Sequence, residues 1–65
     1  MNCIKEVLEK RGIKQTWLAE RLGESFCIAN SYVHNLRQPS LDVLFEIAKI
    51  LNVHPKELIG SNPYN

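Results

Sequence analysis

The sequence predicts an all-α fold, a compact bundle of five short helices, and three observations predict it. Apolar residues recur at spacings of three and four along most of the chain, which is typical of helices that bury one face. Gly or Asn follows most of these stretches, at the place where a helix is expected to end. Runs that alternate apolar and polar residues, the usual pattern of strands, do not occur in the sequence.

The first two predicted helices are short, and each ends at a glycine. Ile4 and Leu8 lie on the apolar side of the first helix, and Gly12 is its predicted stop. The second helix is predicted from about residue 15 to residue 22. Gly23 follows it and can take the positive φ that a tight turn requires.

Two serines mark the starts of the third and fourth helices. Ser25 is the predicted N-cap of a helix that runs to about His34, and Asn35 then tolerates a left-handed backbone. Pro39 disfavours helix in the residue before it, which predicts a loop. Ser40 is the predicted N-cap of the fourth helix.

The fourth helix is apolar on nearly all sides, which predicts a central element or one half of a subunit interface. Its apolar residues form two stripes, Leu41, Leu44, Phe45, Ala48 and Leu51 on one and Val43, Ile47 and Ile50 on the other. A short fifth helix is predicted to begin at Pro55 and to end before Gly60. Residues 1–60 are therefore expected to form one domain, with residues 61–65 as a short tail.

Composition excludes several classes of function. The chain has 65 residues, a net charge of +1 and two cysteines, so it has room for one domain and not for an added catalytic domain. No apolar stretch reaches the roughly 18 residues of a membrane span, and Lys5 and Glu6 interrupt any leader-like start. We therefore expect a cytoplasmic protein in which Cys3 and Cys27 are reduced.

Cysteine and histidine residues do not form a recognisable chemical site. Cys3, Cys27, His34 and His54 lack the close spacing of metal ligands. Cys27 and His34 share a helical face, but two helical turns separate them by roughly 10 Å, too far for a nucleophile and its base. We therefore expect no enzyme, metal, cofactor or small-molecule ligand.

The middle of the chain has the spacing of a helix-turn-helix. A helix of about eight residues, a short turn at Gly23 and a second helix over residues 25–34 are its parts. In such a unit the second helix fits a DNA major groove about 12 Å wide, and the first helix braces it across the phosphate backbone.

These residues resemble the lambda-repressor-like (Xre) helix-turn-helix family over roughly residues 4–59. The resemblance is carried by QTWLAERLG at 15–23, by Ser25, Tyr32 and Asn35, by RQPSL at 37–41 and by IAKILNV at 47–53. It implies a sequence-specific regulator of transcription in a bacterium, plasmid or phage, such as a repressor, that binds double-stranded DNA and acts by occupying its site. It also implies a homodimer.

The resemblance implies roles for particular residues. Base-reading positions are expected at Ser25, Phe26, Cys27 and Ser31, to which we add Asn30 and His34 because Phe26 stands where the family has a polar residue. Phosphate contacts are expected from Lys14, Gln15, Asn35, Arg37 and Gln38. The dimer interface is expected at Val43, Ile47, Ile50, Val53 and Leu58.

Other positions depart from the family pattern. Lys14 replaces the usual Ser or Thr cap, Val33 replaces a Glu, and Asn35 replaces a Gly. Phe26 can offer DNA only an apolar contact, for example to a thymine methyl group. Sequence preference would then depend on Ser25, Asn30, Ser31 and His34.

The low net charge leaves an alternative open. A protein-interaction module, such as an antitoxin-like partner with weak or no DNA binding, would use an exposed apolar row of Trp17, Phe26 and Ile28. Against it, Lys14, Arg21 and Arg37 lie in or beside the helix-turn-helix. Asp42, Glu46 and Glu57 lie in the later helices. For a DNA-binding protein, so few basic residues near the helix-turn-helix predict a shallow dependence of affinity on salt, because few phosphates can be neutralised.

Overall fold

A computed structural model describes residues 1–60 of the chain, so the predicted tail at residues 61–65 lies outside the described residues. Four α-helices and one 3-10 helix follow one another, namely α1 (Ile4–Arg11), α2 (Gln15–Leu22), α3 (Phe26–Val33), α4 (Leu41–Leu51) and the 3-10 helix Pro55–Leu58. The all-α prediction is confirmed, and the prediction of five α-helices is corrected to four and a 3-10 turn.

The last element is a 3-10 helix because it has only four residues, Pro55–Leu58, before the extended backbone at Ile59 (φ −82°, ψ 124°). A stretch this short closes by bonds between residues three apart, such as that from the Glu57 N–H to the His54 carbonyl oxygen (2.8 Å). The His54 side chain accepts from the Lys56 N–H (3.1 Å), and Glu57 accepts from the His54 N–H (3.0 Å).

The ends of the longer helices confirm the predicted caps. Ser25 Oγ accepts from the Ile28 N–H (3.2 Å), and Ser40 Oγ accepts from the Val43 N–H (3.3 Å). Gly23 ends α2 with a φ of +74°. The local sequence signals for these ends are therefore reflected in the backbone.

The hydrophobic core lies between α4 and the other elements. Its buried residues are Ile4, Leu8, Leu18, Val33, Leu44, Ile47, Ala48, Leu51 and Leu58. The four that α4 supplies are spaced three and four residues apart and occupy one face of that helix. Leu41 and Phe45 lie off this face and are 67% and 52% exposed, contrary to the predicted stripe.

Burial also corrects two residues of the predicted dimer interface. Ile47 and Leu58 are fully buried within the subunit, so their side chains have no surface left for a partner. Val43, Ile50 and Val53 are only partly buried.

The N-terminal segment (residues 1–3) packs along residues 58–60. Asn2 and Ile59 form an isolated antiparallel bridge. The Cys3 N–H donates to the Leu58 carbonyl oxygen (2.8 Å), and the Gly60 N–H donates to the Met1 carbonyl oxygen (2.9 Å). A Cβ at Gly60 would collide with that Met1 carbonyl, so the close approach requires glycine. The sequence pattern did not predict this contact.

Candidate nucleic-acid interface

The helix-turn-helix is formed by α2 and α3. Ala19 and Ala29 are buried in these helices, and small side chains there allow two backbones to approach closely. Leu18 and Val33 anchor the same helices in the core. The pair is therefore fixed on the body of the protein, while the opposite side of α3 is left open.

All six predicted base-reading residues lie on or beside the open side of α3. Ser25, Phe26, Cys27 and His34 are exposed, and Asn30 and Ser31 are half-buried. Ala29 and Val33 occupy the buried side. Four of the outward residues, Cys27, Asn30, Ser31 and His34, are spaced three and four apart, which matches one face of a helix.

A hydrogen bond joins a predicted phosphate ligand to a predicted base reader. Gln15 Nε2, on the first residue of α2, donates to Asn30 Oδ1 on α3 at 2.9 Å. This bond fixes the orientation of the Asn30 amide, because its oxygen must face α2. One lone pair of Oδ1 and both Nδ2 hydrogens remain for a base edge, enough for the paired contact to adenine.

Two serines of the face also bond within the protein. Ser31 Oγ donates to the Ile28 carbonyl oxygen (2.6 Å), so toward a base it can only accept. Ser25 Oγ already accepts from the Ile28 N–H. Its own hydroxyl hydrogen is free to donate.

Exposed aromatic side chains belong to the same pair of helices. Phe26, at the start of α3, is 51% exposed, and Trp17 on α2 is 42% exposed. The Arg21 guanidinium carbon lies 5.3 Å from the centre of the Trp17 ring, a cation–π distance. Ile28 is half-buried, so the predicted apolar row is only partly exposed.

Asn35 and Gln38, two predicted phosphate ligands, bond to each other and to Asn2 in the loop after α3. Asn35 Oδ1 accepts from the Asn2 N–H (2.7 Å) and from Gln38 Nε2 (3.0 Å), and Asn35 Nδ2 donates to the Asn2 carbonyl oxygen (3.2 Å). Both lone pairs of Asn35 Oδ1 and one Nδ2 hydrogen are thus engaged inside the protein, which leaves one Nδ2 hydrogen for the predicted phosphate contact. Gln38 is exposed and keeps one amide hydrogen free.

Exposed charged side chains lie at the start of α2, just before α3 and in the loop after α3. Lys14 and Arg37 are exposed at the start of α2 and in the loop after α3. Lys14 makes no side-chain cap, as its departure from the family pattern led us to expect. Glu24, exposed immediately before Ser25, was missed by the sequence reasoning, although its position beside the predicted cap was a usable signal.

Other chemistry is less developed in the described part of the chain. Within residues 1–60, no group of three or more His, Cys, Asp or Glu side chains could hold a metal ion. None of the helices in this range is long and apolar enough to cross a membrane. Cys27 is a free, exposed thiol on α3.

Comparisons with known proteins agree with this geometry. The model of the helix-turn-helix family matches residues 4–58. A solved structure of a candidate DNA-binding protein from Bacteroides fragilis is similar, with a TM-score of 0.89 and 42% sequence identity. That match covers 92% of this chain and 97% of the other. No curated protein matches the sequence significantly.

Proposed function

This chain belongs to the lambda-repressor-like helix-turn-helix family, and on that premise we propose that it is a sequence-specific, double-stranded DNA-binding regulator of transcription. The observation that carries the proposal is the open side of α3, a capped helix whose outward side chains are polar apart from Phe26 and Cys27. The Gln15–Asn30 hydrogen bond adds preorganisation to that face. The similar structure from Bacteroides fragilis is described as a candidate DNA-binding protein, which supports the same function.

We assign base reading to α3 in the major groove. Asn30 would make the paired contact to adenine, and Ser25, Ser31 and His34 would add single hydrogen bonds. Phe26 and Cys27 would lie against apolar groups such as a thymine methyl. These roles follow from exposure on one helix face and from the donors and acceptors that remain free.

Phosphate contacts would frame this helix on both sides. Lys14 and Gln15 stand at the start of α2, and Arg37 and Gln38 stand in the loop after α3. Contacts to the phosphates of DNA position the protein on the duplex and carry no sequence information themselves. Arg37 and Lys14 would therefore contribute to affinity for every duplex.

The domain would regulate by occupying its site as a homodimer, in the cytoplasm of a bacterium or on behalf of a phage or plasmid. Two subunits would place their α3 helices in half-sites about 34–36 Å apart. We propose that α4 supplies the subunit contact through its exposed residues Leu41, Asp42, Phe45, Glu46 and Lys49, bordered by the partly buried Val43, Ile50 and Val53.

Charge complementarity favours a second copy of this chain as the occupant of that face of α4. In an antiparallel pair of α4 helices centred between Phe45 and Glu46, Lys49 of each subunit faces Asp42 of the other. Asp42 and Lys49 are seven residues apart and so share one side of the helix. The two exposed Phe45 rings would meet at the centre.

A protein-interaction module remains the second candidate function. It is favoured by the exposed rings of Phe26 and Trp17 beside a domain with a net charge of only +1. Apolar groups of this kind on a surface mark sites for partners. Under this reading the protein would bind duplexes weakly and with no preference for sequence.

Selection of bound duplexes from a random pool separates the two functions. We expect the wild-type protein to enrich a two-fold symmetric site. Asn30→Ala should change the enriched bases, whereas Arg37→Ala should weaken binding to all duplexes and leave the preferred sequence unchanged. A pool with no enrichment would refute sequence-specific binding and favour the interaction module.

A further inference from the structure

Asn2 is the one polar residue among residues 1–60 whose side chain is buried, and it is 5% exposed. Its Nδ2 donates to the Tyr32 carbonyl oxygen at the end of α3 (2.9 Å) and to Gln38 Oε1 (3.2 Å). Its Oδ1 accepts from the Ile4 N–H (3.0 Å). A buried amide with three partners is strongly held, since losing any of them would leave a polar group unpaired away from water.

Asn35 completes the network from the other side. It bonds both the N–H and the carbonyl oxygen of Asn2 and also the Gln38 side chain. Its backbone is left-handed, with a φ of +59°, so the residue turns the chain out of α3 and holds the turn with its side chain. The long-range bonds of the network link residues 30 to 36 positions apart in the sequence.

The loop held by this network contains little else that could hold it. Leu36 is 78% exposed, and Arg37 and Gln38 are exposed as well. The N–H groups of Leu36 and Arg37 both donate to the Ser31 carbonyl oxygen (2.8 and 3.1 Å). Segments with few buried contacts open locally at low free energy unless something else ties them down.

We propose that Asn2 and Asn35 are positioning residues that lock the loop after α3, and with it Arg37, in the geometry that DNA requires. The inference rests on the proposed function and deepens it, because it assigns part of the DNA affinity to the buried Asn2, which cannot contact DNA, and to the side-chain bonds of the half-buried Asn35. Residues 1–3 also pair with residues 58–60. The N-terminal segment therefore connects the loop after α3 to the residues that follow the 3-10 helix.

The size of the effect follows from the cost of ordering a loop. Fixing one flexible backbone residue on binding lowers affinity by about tenfold. A prelocked loop has already lost that freedom, so it binds without this cost. We therefore expect loss of the lock to weaken duplex binding by about tenfold with α3 itself unchanged.

Asn35→Gly is the sharpest variant, because glycine adopts the same left-handed backbone and removes only the side-chain bonds. Asn52→Gly is its matched control. Asn52 ends α4 with a φ of +56° and is exposed. The Asn52→Gly variant therefore reports how replacing a left-handed asparagine by glycine affects the unfolded chain. Asn2→Ser is a second disruption of the lock at a residue too buried to contact a phosphate.

The experiment measures duplex affinity and amide hydrogen exchange for these three variants and the wild type. We expect Asn35→Gly and Asn2→Ser to bind about tenfold more weakly and to exchange faster at the Leu36 and Arg37 amides, and Asn52→Gly to match the wild type in both. Exchange in the middle of α3, for example at the buried Ala29, should stay slow, which shows that the variants remain folded.

A double-mutant comparison separates positioning from a direct contact. If the lock positions Arg37, Arg37→Ala should cost at least threefold less affinity in the Asn35→Gly protein than in the wild type, because Arg37 is then already misplaced. Equal costs in both proteins would overturn the inference, as would wild-type affinity or unaltered exchange in Asn35→Gly.

Failure of the proposed function gives a different result. A wild-type protein that binds no duplex refutes DNA binding and with it the positioning role, while amide exchange still tests whether Asn35 locks the loop. Wild-type binding together with full affinity in Asn35→Gly refutes only the positioning role.

Discussion

Ser25 and Ser40 cap α3 and α4 with nearly the same geometry, but only Ser25 lies on the proposed DNA face. Their backbones differ by less than ten degrees (φ −68°, ψ 157° and φ −65°, ψ 165°), and each hydroxyl accepts from the N–H three residues later. This pair allows the structural role of a serine to be separated from its role in binding.

Ser25→Ala and Ser40→Ala should each lower the free energy of unfolding by about 1 kcal/mol, the usual cost of losing an N-cap. Ser25→Ala should also weaken binding to the selected duplex by about five- to tenfold, through loss of a hydrogen bond to DNA. Chemical denaturation and fluorescence anisotropy measure the two effects. Equal losses of affinity in both variants would remove Ser25 from the interface.

The bond between Gln15 and Asn30 predicts that these two residues act together. Gln15→Ala should weaken binding and also blur the preference at the base read by Asn30, because the Asn30 amide loses its fixed orientation. Gln15→Ala and Asn30→Ala combined should lower the binding free energy by less than the sum of their separate losses. Binding measured on duplexes that differ at that base tests this, with Arg37→Ala as the control that weakens all of them alike.

At the scale of the elements, the sequence predicted what is local and missed what depends on the fold. Ser25, Ser40 and Gly23 indicate helix ends, because capping and left-handed turns depend only on neighbouring backbone groups. The Asn2 network was not predictable, since it joins positions thirty or more residues apart and neither Asn2 nor Asn35 differs locally from a surface asparagine.

The fourth helix shows the same limit. Its apolar residues indicated burial, but periodicity alone could not say which of them would meet the core. Leu44 and Ile47 face the core, and Phe45, one residue away from Leu44, is half exposed. Surface of this kind is visible only once the neighbours of the helix are placed.

The antiparallel pairing of α4 predicts a charge-swap result. Lys49→Asp should weaken the dimer by about tenfold, because it places like charges opposite each other at two symmetric positions. Adding Asp42→Lys to that variant should restore the dimer, since the charges are then exchanged and complementary again. Sedimentation velocity measures the dissociation constant of each protein.

A control distinguishes this interface from a general loss of stability. Glu9→Lys makes a charge change of similar size on the exposed surface of α1 and should leave the dimer unchanged. A double swap that stays as weak as Lys49→Asp would contradict the pairing. A wild-type protein that is monomeric at high concentration would contradict the dimer altogether.

At the scale of the whole molecule, a net charge of +1 hides an uneven distribution of charge. Lys14, at the start of α2, and Arg37, in the loop after α3, are exposed, and Asp42 and Glu46 are exposed on α4. Lys14 and Arg37 thus give the proposed DNA face two positive charges, which the exposed Glu24 beside it offsets in part. Few cations per subunit are available to replace counterions on DNA.

This count predicts a shallow salt dependence. If Lys14 and Arg37 of two subunits neutralise about four phosphates, the slope of log K against log salt concentration should be about −3.6. Arg37→Ala should reduce the slope by about half in the dimer, because one phosphate contact is lost from each subunit. Titrations of one duplex at several salt concentrations measure both slopes.

Lys10→Gln and Glu24→Gln complete this test with opposite expectations. Lys10 lines a surface cleft with Glu6 and Glu57, and no residue of α2 or α3 lines that cleft, so loss of Lys10 should leave the slope unchanged. Glu24 is an exposed carboxylate next to the start of α3, and its neutralisation should raise affinity by about two- to fivefold at low salt, because it removes repulsion from the phosphates. A Lys10→Gln protein with the slope of Arg37→Ala would show that DNA contacts a different face, and the assignment of α3 to the major groove would then be wrong.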